Sequence, residues 1–203
     1  FATWDGEKWT DLQHAFDKIA FRDGFDPDSQ YLLLDALTAG GHGHMDGNAI
    51  LQWSENGRIW LADVDYIKSL PKYHNMLLVL RDGQSEEPPE LRKLENFTEM
   101  DTFAASHTVA EDYAGGDWHR YVIWLKGRPF IVADSIRANE PGEYSLRAVW
   151  QTLGDVQLRG SNLDIDQDEQ YARFAMTPDT SCMVTNDEET GDNWGSYPYA
   201  KDA

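Results

Sequence analysis

The sequence contains little that could cross-link it or hold it in a membrane. Cys182 is its single cysteine, so no disulfide can form within the chain, and the redox compartment stays open. No apolar run approaches the about 20 residues that a membrane-spanning helix needs. The chain begins at Phe1, without a basic-then-apolar leader. We therefore expect a soluble chain that is a piece of a longer protein, in which any export signal would lie upstream.

Positive charge is also scarce. The 17 basic residues stand against 36 acidic ones, which gives a formal net charge of -19. Such a charge argues against nucleic acid or an anionic membrane as a partner, because both would be repelled. An acidic polymer could bind only where cationic groups are gathered locally. The simplest role of the excess acid is to keep the protein soluble.

Apolar and aromatic residues, by contrast, are plentiful. The 203 residues are 41% hydrophobic and include 8 Trp, 9 Tyr and 8 Phe, which is enough for one large core. Short runs rich in Val, Ile, Leu and aromatics alternate with Gly, Asn, Asp and Pro, a pattern typical of strands joined by turns. Turn residues at 55–57 and 126–129 favour antiparallel hairpins. The predicted strands are 18–25, 30–37, 48–54, 58–64, 76–81, 102–110, 118–126, 129–135, 143–150, 155–159, 171–176 and 181–185.

This pattern predicts an all-β protein, a large antiparallel β-sandwich over residues 21–185. Residues 1–20 form either an irregular leading strand or a short helix, since apolar side chains recur at helical spacing between Trp9 and Ile19. The segment 84–101 is expected to be a loop between strands because Glu and Pro crowd its start. Residues 186–203 are expected to be an acidic polar tail.

The strongest candidates for metal binding or catalysis lie in the run Gly40-Gly41-His42-Gly43-His44-Met45-Asp46. On a strand, His-x-His turns both imidazoles to one face, where they can bind a metal. Glycines beside them indicate a close approach of the backbone to a ligand. The alternative is that both are ordinary strand residues satisfied by hydrogen bonds. We interpret the remaining histidines, His14, His107 and His119, as ordinary surface or core residues.

Two later residues can complete such a metal site. Asp63 ends the next predicted strand, and His74 begins a further one. Histidines with one aspartate suit Zn(II) by ligand type, although Mn, Fe and Ni remain open. The sequence therefore predicts a metal site in which His42 and His44 offer two nitrogens, Asp63 offers a carboxylate, and His74 gives the fourth contact or leaves that position to water.

The combination of these runs resembles the heparinase II/III family of polysaccharide lyases. The resemblance is carried by 25–35, by Gly-Gly-His-Gly-His-Met-Asp at 40–46, by Leu-Ala-Asp at 61–63, by Tyr-His-Asn at 73–75 and by 120–134, and it covers about residues 20–150. It implies antiparallel β-sheets that follow an N-terminal α/α toroid, which has no counterpart in this chain. It also implies β-elimination on uronic-acid polysaccharides, with an acidic polysaccharide and the toroid as partners, and a periplasmic or extracellular location.

The resemblance assigns roles to single residues. His42 is implied to face the substrate as a catalytic residue, while His44, Asp63 and His74 are implied to bind a mainly structural zinc. Tyr66 or Tyr73 could supply a substrate contact in the short loop before His74. The family's tyrosine acid/base lies on the toroid, so the isolated chain is predicted to be inactive.

Two rival interpretations remain. A cupin-like metal oxygenase also places His-x-His on a strand, but it needs a Glu shortly afterwards, where this chain has Gly47, Asn48 and Ala49. Asp46 would share the face of the histidines but is too near to replace that Glu comfortably. In the other interpretation, the sandwich is non-catalytic and only binds carbohydrate or supports a neighbouring domain.

Overall fold

The structure of the protein is a computed structural model that describes residues 3–5, 8–10, 13–36, 44–63 and 68–184. Within these ranges every regular element is a β-strand, except for one 3₁₀ turn at Pro71–Tyr73. No helix of the described part has the length and apolar character needed to cross a membrane. The prediction of an all-β fold is confirmed.

The strands are numbered along the chain. They are β1 (Thr3–Asp5), β2 (Lys8–Thr10), β3 (Lys18–Arg22), β4 (Tyr31–Asp35), β5 (Ile50–Glu55), β6 (Arg58–Ala62), β7 (Leu77–Arg81), β8 (Lys93–Glu99), β9 (Phe103–Tyr113), β10 (Gly116–Leu125), β11 (Phe130–Ala138), β12 (Tyr144–Ala148), β13 (Asp155–Arg159), β14 (Asn162–Gln167) and β15 (Gln170–Ala175). All the pairings between them are antiparallel.

Two four-stranded sheets form the main sandwich. The first has the order β3-β4-β5-β6, and the second has the order β11-β10-β9-β8. Along β10, the buried Trp118, Arg120, Val122 and Trp124 alternate with more exposed residues, so every second side chain points inward. Their shared core contains Ile19, Phe21, Leu32, Leu34, Ile50, Leu61, Ala104, Val122 and Trp124.

A second core surrounds β7. This strand pairs with β12, and residues 77–80 are buried without alternation, as expected for a strand covered on both faces. Tyr113 and Trp118 from the second sheet, and Ala114 from the turn between β9 and β10, pack against it. Because β7 is fixed in this core, the residues just before it, including His74, are anchored as well.

The remaining strands form two small sheets. β13, β14 and β15 make a three-stranded sheet, and β1 pairs with β2. Leu163 and Ile165 are the buried residues of β14. Phe174 of β15 packs against the core of the main sandwich, which joins the three-stranded sheet to it.

Some local predictions were wrong. Of the two alternatives for the first 20 residues, the helix is not found in the described part, where β2 and β3 are strands. In β3 the buried Ile19 and Phe21 alternate with exposed neighbours, so the true period is that of a strand. The segment 84–101 contains β8, an edge strand with a bulge between Leu94 and Asn96 that breaks its alternation.

Two further differences lie near the end of the described chain. β14 was not predicted, although its Leu163 and Ile165 alternate with polar residues. Residues 181–184 were predicted as the start of a strand, but they are not in a strand, and Met183 and Val184 are largely exposed. Among the described residues no strand pairs with this run, and a strand needs a hydrogen-bonded neighbour to form a sheet. The predicted tail, 186–203, lies outside the described residues.

Candidate metal centre

His74 is the innermost residue of the candidate site. The 3₁₀ turn Pro71–Tyr73 leads into it, and the His74 N–H donates to the Pro71 carbonyl at 3.1 Å. Its side chain is fully buried. With the turn before it and β7 after it, the imidazole is held in a fixed position.

Asp63 orients this imidazole. It directly follows β6, and its N–H donates to the Leu51 carbonyl at 2.8 Å, which keeps it against β5. Its two carboxylate oxygens lie 2.8 and 2.9 Å from Nδ1 of His74. A carboxylate can only accept, so the Nδ1–H of His74 donates to it. Nε2 is therefore left as the free ligand atom, and it is buried without a hydrogen-bond partner among the described residues.

His44 and Asp46 approach His74 from the loop before β5. The Met45 N–H donates to the Ser69 carbonyl at 2.9 Å, and the Ala49 N–H donates to the Asp46 carbonyl at 2.7 Å. One potential ligand atom from each of His44, Asp46 and His74 lies within 4.8 Å of the others. Two imidazoles and a carboxylate form a donor set that suits Zn²⁺. The orphaned Nε2 of His74 also fits a metal ligand, since a buried polar atom normally has a partner.

Burial and neighbouring charges shift the pKa values of Asp46 and His74. Burial and the nearby Asp35 raise the pKa of Asp46 to about 7, with Asp63 adding to the effect and His74 opposing it. Burial acts to lower the pKa of His74, but the hydrogen bond and charge of Asp63, together with Asp46, outweigh it and raise this pKa. Three carboxylates near one another are repulsive, and a divalent cation would relieve that repulsion.

The structure places the other two residues that were predicted as ligands, His44 and Asp63, beside His74. His44 and His74 lie with ring centroids 5.6 Å apart. Asp63 contacts His74 instead of belonging to the three-residue cluster, in which Asp46 is the carboxylate. The sequence analysis placed Asp46 on the face of the histidines but did not choose it as the carboxylate of the cluster, although its place two residues after His44 was the available signal. His42 and Tyr66 lie outside the described residues.

The expectation that His44 lies on a strand was wrong. Residues 44–49 precede β5 and are not in a strand. They form a loop in which Asn48 has a positive φ of 71°. The loop bends His44 and Asp46 toward His74, so proximity in the tertiary structure, and not strand alternation, makes them neighbours.

Two lysines bring positive charge next to this centre. The Nζ atoms of Lys68 and Lys72 lie 5.0 and 4.8 Å from the ring centroid of Tyr73, close enough for cation–π interactions. Tyr73 is half-buried and directly precedes His74. Both lysines therefore lie around the residue that comes just before His74 in the chain.

Arg120 ties the two loops of the site to the second sheet. Its side chain is fully buried, and Nη1 donates to the carbonyls of Asn48 at 2.6 Å and Asn75 at 3.0 Å. Asn48 lies two residues after Asp46, and Asn75 follows His74. Sequence reasoning missed this role. The available signal was an arginine at an inward-facing position of a mostly apolar strand.

The other histidines lie away from the cluster. His14 Nδ1 contacts the Leu94 carbonyl at 3.1 Å. His107 Nε2 and His119 Nδ1 are 2.9 Å apart on neighbouring strands, and the His107 ring stacks on Tyr121 with a centroid distance of 4.2 Å. Both rings are partly exposed on the outer face of the second sheet.

Neither a protein-family model nor a curated protein matches the sequence. Solved structures do match the fold. A crystal structure of heparinase III aligns with a TM-score of 0.63 at 14% identity, over 76% of this chain and 27% of that chain. The heparan sulfate lyase HepC from Pedobacter heparinus aligns with a TM-score of 0.64 at 15% identity, over 75% of this chain and 26% of that chain.

The described residues therefore have the fold of a β-sandwich found within heparinase III structures, and the predicted fold class is confirmed. The chain spans about a quarter of the length of the two structures compared. At this level of identity the likeness establishes the fold alone.

Proposed function

We propose that this chain is the metal-binding β-sandwich portion of a polysaccharide lyase that cleaves a uronic-acid polysaccharide by β-elimination. Two observations support the proposal: the fold is shared with heparinase III and a heparan sulfate lyase, and His44, Asp46 and His74 converge on one point. The convergence carries most weight, because fold likeness alone does not define a function. A periplasmic or extracellular location and a toroid as neighbouring domain belong to the same proposal.

The proposed ligands are His44, Asp46 and His74, with Zn²⁺ as the ion. Asp63 is then the carboxylate that fixes the His74 ring with Nε2 toward the ion, as metal-binding histidines commonly require. When bound, the ion would supply positive charge and a cross-link between the loops that carry these residues. The sequence-based alternative, with Asp63 itself as the ligand, remains to be tested against this one.

β-Elimination at a uronate needs three positioned groups. The C5 carboxylate must be neutralised, a base must take the C5 proton, and an acid must protonate the leaving O4. We assign the first or second task to His42, two residues before His44. The acid is assigned to a tyrosine outside this chain, so the isolated chain should be inactive.

The test compares this chain with its parent protein by the absorbance of 4,5-unsaturated uronates. The parent should cleave a uronate polysaccharide, and this chain alone should not. In the parent, His42→Ala should lower turnover by at least about 100-fold while metal content is kept. His44→Ala should lose metal and turnover together. If His42→Ala also sheds the ion, His42 is a ligand and the division of roles is wrong.

The non-catalytic alternative makes a different prediction. A sandwich that only binds carbohydrate or supports its neighbour would leave the parent without lyase activity, whatever the metal content. A cupin-like oxygenase would instead consume O₂ and would form no unsaturated uronate. The same parent protein therefore distinguishes all three functions.

A further inference from the structure

A cavity of about 420 Å³ opens between the first sheet and the strands β11 and β15. Its deep wall is apolar and includes the buried side chains of Leu32, Ile50 and Leu61. Its mouth is polar, with exposed Asn56 and Arg128. The volume lies within the range of about 300 to 1,000 Å³ that is typical of small-molecule sites.

Aromatic rings form much of the lining. Trp53 packs against Phe174 with a centroid distance of 5.5 Å and against Trp60 at 6.3 Å. Trp150 lies 5.8 Å from Phe174 on the other side. Tyr171 stands at the mouth with 70% of its surface exposed. A half-open cavity walled by rings offers the flat apolar faces on which the C–H faces of sugar rings can pack.

Two polar groups of the lining, the indole N–H of Trp53 and the guanidinium of Arg128, lack a protein partner among the described residues. The indole N–H of Trp53 is buried and has no hydrogen-bond partner, whereas that of Trp60 donates to the Glu55 carbonyl at 3.2 Å. The guanidinium of Arg128 has no ion-pair partner in the described part of the chain, while that of Arg173 is bonded to Asp164 at 2.6 and 2.9 Å. One uncompensated cation at the mouth is notable in a chain of net charge -19.

A second, shallower depression of about 520 Å³ adjoins the cavity and shares Asn56, Trp60 and Tyr171 with it. Asp28 and Gln170 complete its lining. Amide and carboxylate groups of this kind can bond sugar hydroxyls.

We propose that this cavity is a saccharide-binding site, separate from the metal centre, that takes a uronate-containing oligosaccharide. A sugar ring packs against the aromatic lining, its carboxylate pairs with Arg128, and its hydroxyls bond Glu55 and Asn56 at the mouth. The site is distinct because none of His44, Asp46 and His74 lines the cavity. Ile50, at the start of β5, lies between the two, since its N–H donates to the Asn75 carbonyl and it also lines the cavity. The proposal does not depend on lyase activity.

The test is a calorimetric titration of this chain with two tetrasaccharides. The acidic one has alternating glucuronate and N-acetylglucosamine, and the neutral one is cellotetraose. Tryptophan fluorescence is followed in parallel. The acidic tetrasaccharide should bind more tightly and should change the fluorescence. Arg128→Gln should weaken its binding by about tenfold, the effect of one lost charge-assisted hydrogen bond. Binding should persist in chelator-treated protein, which separates this site from the metal centre.

Matched variants keep the test decisive. Arg137→Gln removes an exposed arginine on the outer sheet face and should leave the affinity unchanged. Tyr171→Ala changes an exposed residue, so it should fold normally and still weaken binding. Trp53→Phe keeps a ring but removes the unpaired N–H, and it should weaken binding of the acidic tetrasaccharide. The proposal is overturned if neither sugar binds, if the neutral one binds as tightly, or if Arg128→Gln and Tyr171→Ala both bind like the wild type.

Discussion

Arg120 and Asp134 face each other directly across β10 and β11 and form a two-pronged ion pair inside the sandwich. Nε of Arg120 lies 2.8 Å from Oδ1 of Asp134, and Nη2 lies 2.9 Å from Oδ2. Trp118 also donates its indole N–H to Asp134 at 2.9 Å. The pair holds the arginine so that Nη1 can reach the carbonyls of Asn48 and Asn75. One ion pair therefore fixes the two loops that present Asp46 and His74.

Removing one partner of this pair should be costly. We expect Arg120→Met to lower the free energy of unfolding by about 3–5 kcal/mol, because Asp134 and two backbone carbonyls lose a buried donor. Urea denaturation provides the measurement. Arg137→Gln is the control, since its ion pair with Asp117 is exposed and 3.7 Å long, and it should cost less than about 1 kcal/mol. If Arg120→Met lowers the free energy of unfolding by no more than the control does, Arg120 does not hold the two loops in place.

The roles of Asp46 and Asp63 can be separated by metal affinity. Asp46→Asn removes the proposed ligand and should abolish stoichiometric zinc binding. Asp63→Asn removes only the group that orients His74, so it should weaken binding by about 10–100-fold. Elemental analysis and competition with a chelator measure both, and Asp155→Asn, an exposed carboxylate on β13, serves as the control. The reverse order of effects would make Asp63 the ligand, as the sequence first indicated.

Zinc should stabilise the folded chain. A ligand that binds only the native state adds about 2.7 kcal/mol at a free concentration of 100 times its Kd. We expect the Tm of chelator-treated protein to rise on addition of zinc, as followed by circular dichroism. His44→Ala should show no such rise, whereas His119→Ala, which alters a histidine far along the second sheet, should keep it. Equal responses from these two variants would place the binding site elsewhere.

The histidine pair on the outer sheet face should make stability fall in acid. Burial and the neighbouring His119 lower the pKa of His107 below its usual 6.5, and Glu95 offsets this only in part. The unfolded chain therefore binds a proton at higher pH than the native state does. The contribution of His107 to stability is complete above about pH 7 and is lost as the pH falls through 6.5 toward the lower native pKa.

This dependence can be measured from urea midpoints at about pH 7.5 and about pH 5.5 in wild type and His107→Gln. The variant should lose less stability between the two values, because it removes one group whose proton binding differs between the native and unfolded states. A loss in the variant equal to that of the wild type would show that the pair does not contribute. Asp155→Asn again provides a control that leaves this part of the sheet unchanged.

Strands with a clear apolar pattern were mostly predictable, although β14 alternates and was missed. β10 has a regular inward and outward pattern, so its position followed from the residues alone. β8 has little apolar content, lies at a sheet edge and contains a bulge, so its sequence looks like a loop. Edge strands make fewer core contacts, and their sequence is correspondingly less constrained.

The sequence by itself determined that the chain is an all-β sandwich, because side-chain periodicity is a local property, and the resemblance of its motifs to a known family named His44, Asp63 and His74 as members of one candidate site. Only the tertiary structure decided that Asp63 bonds His74, that Asp46 is the carboxylate of the cluster and that Arg120 holds both loops in place. These relationships join residues that are far apart in the chain, from Asp63 to His74 and from Asn48 to Arg120. Their distances depend on how two sheets pack and how one loop bends, and no local pattern of residues specifies either.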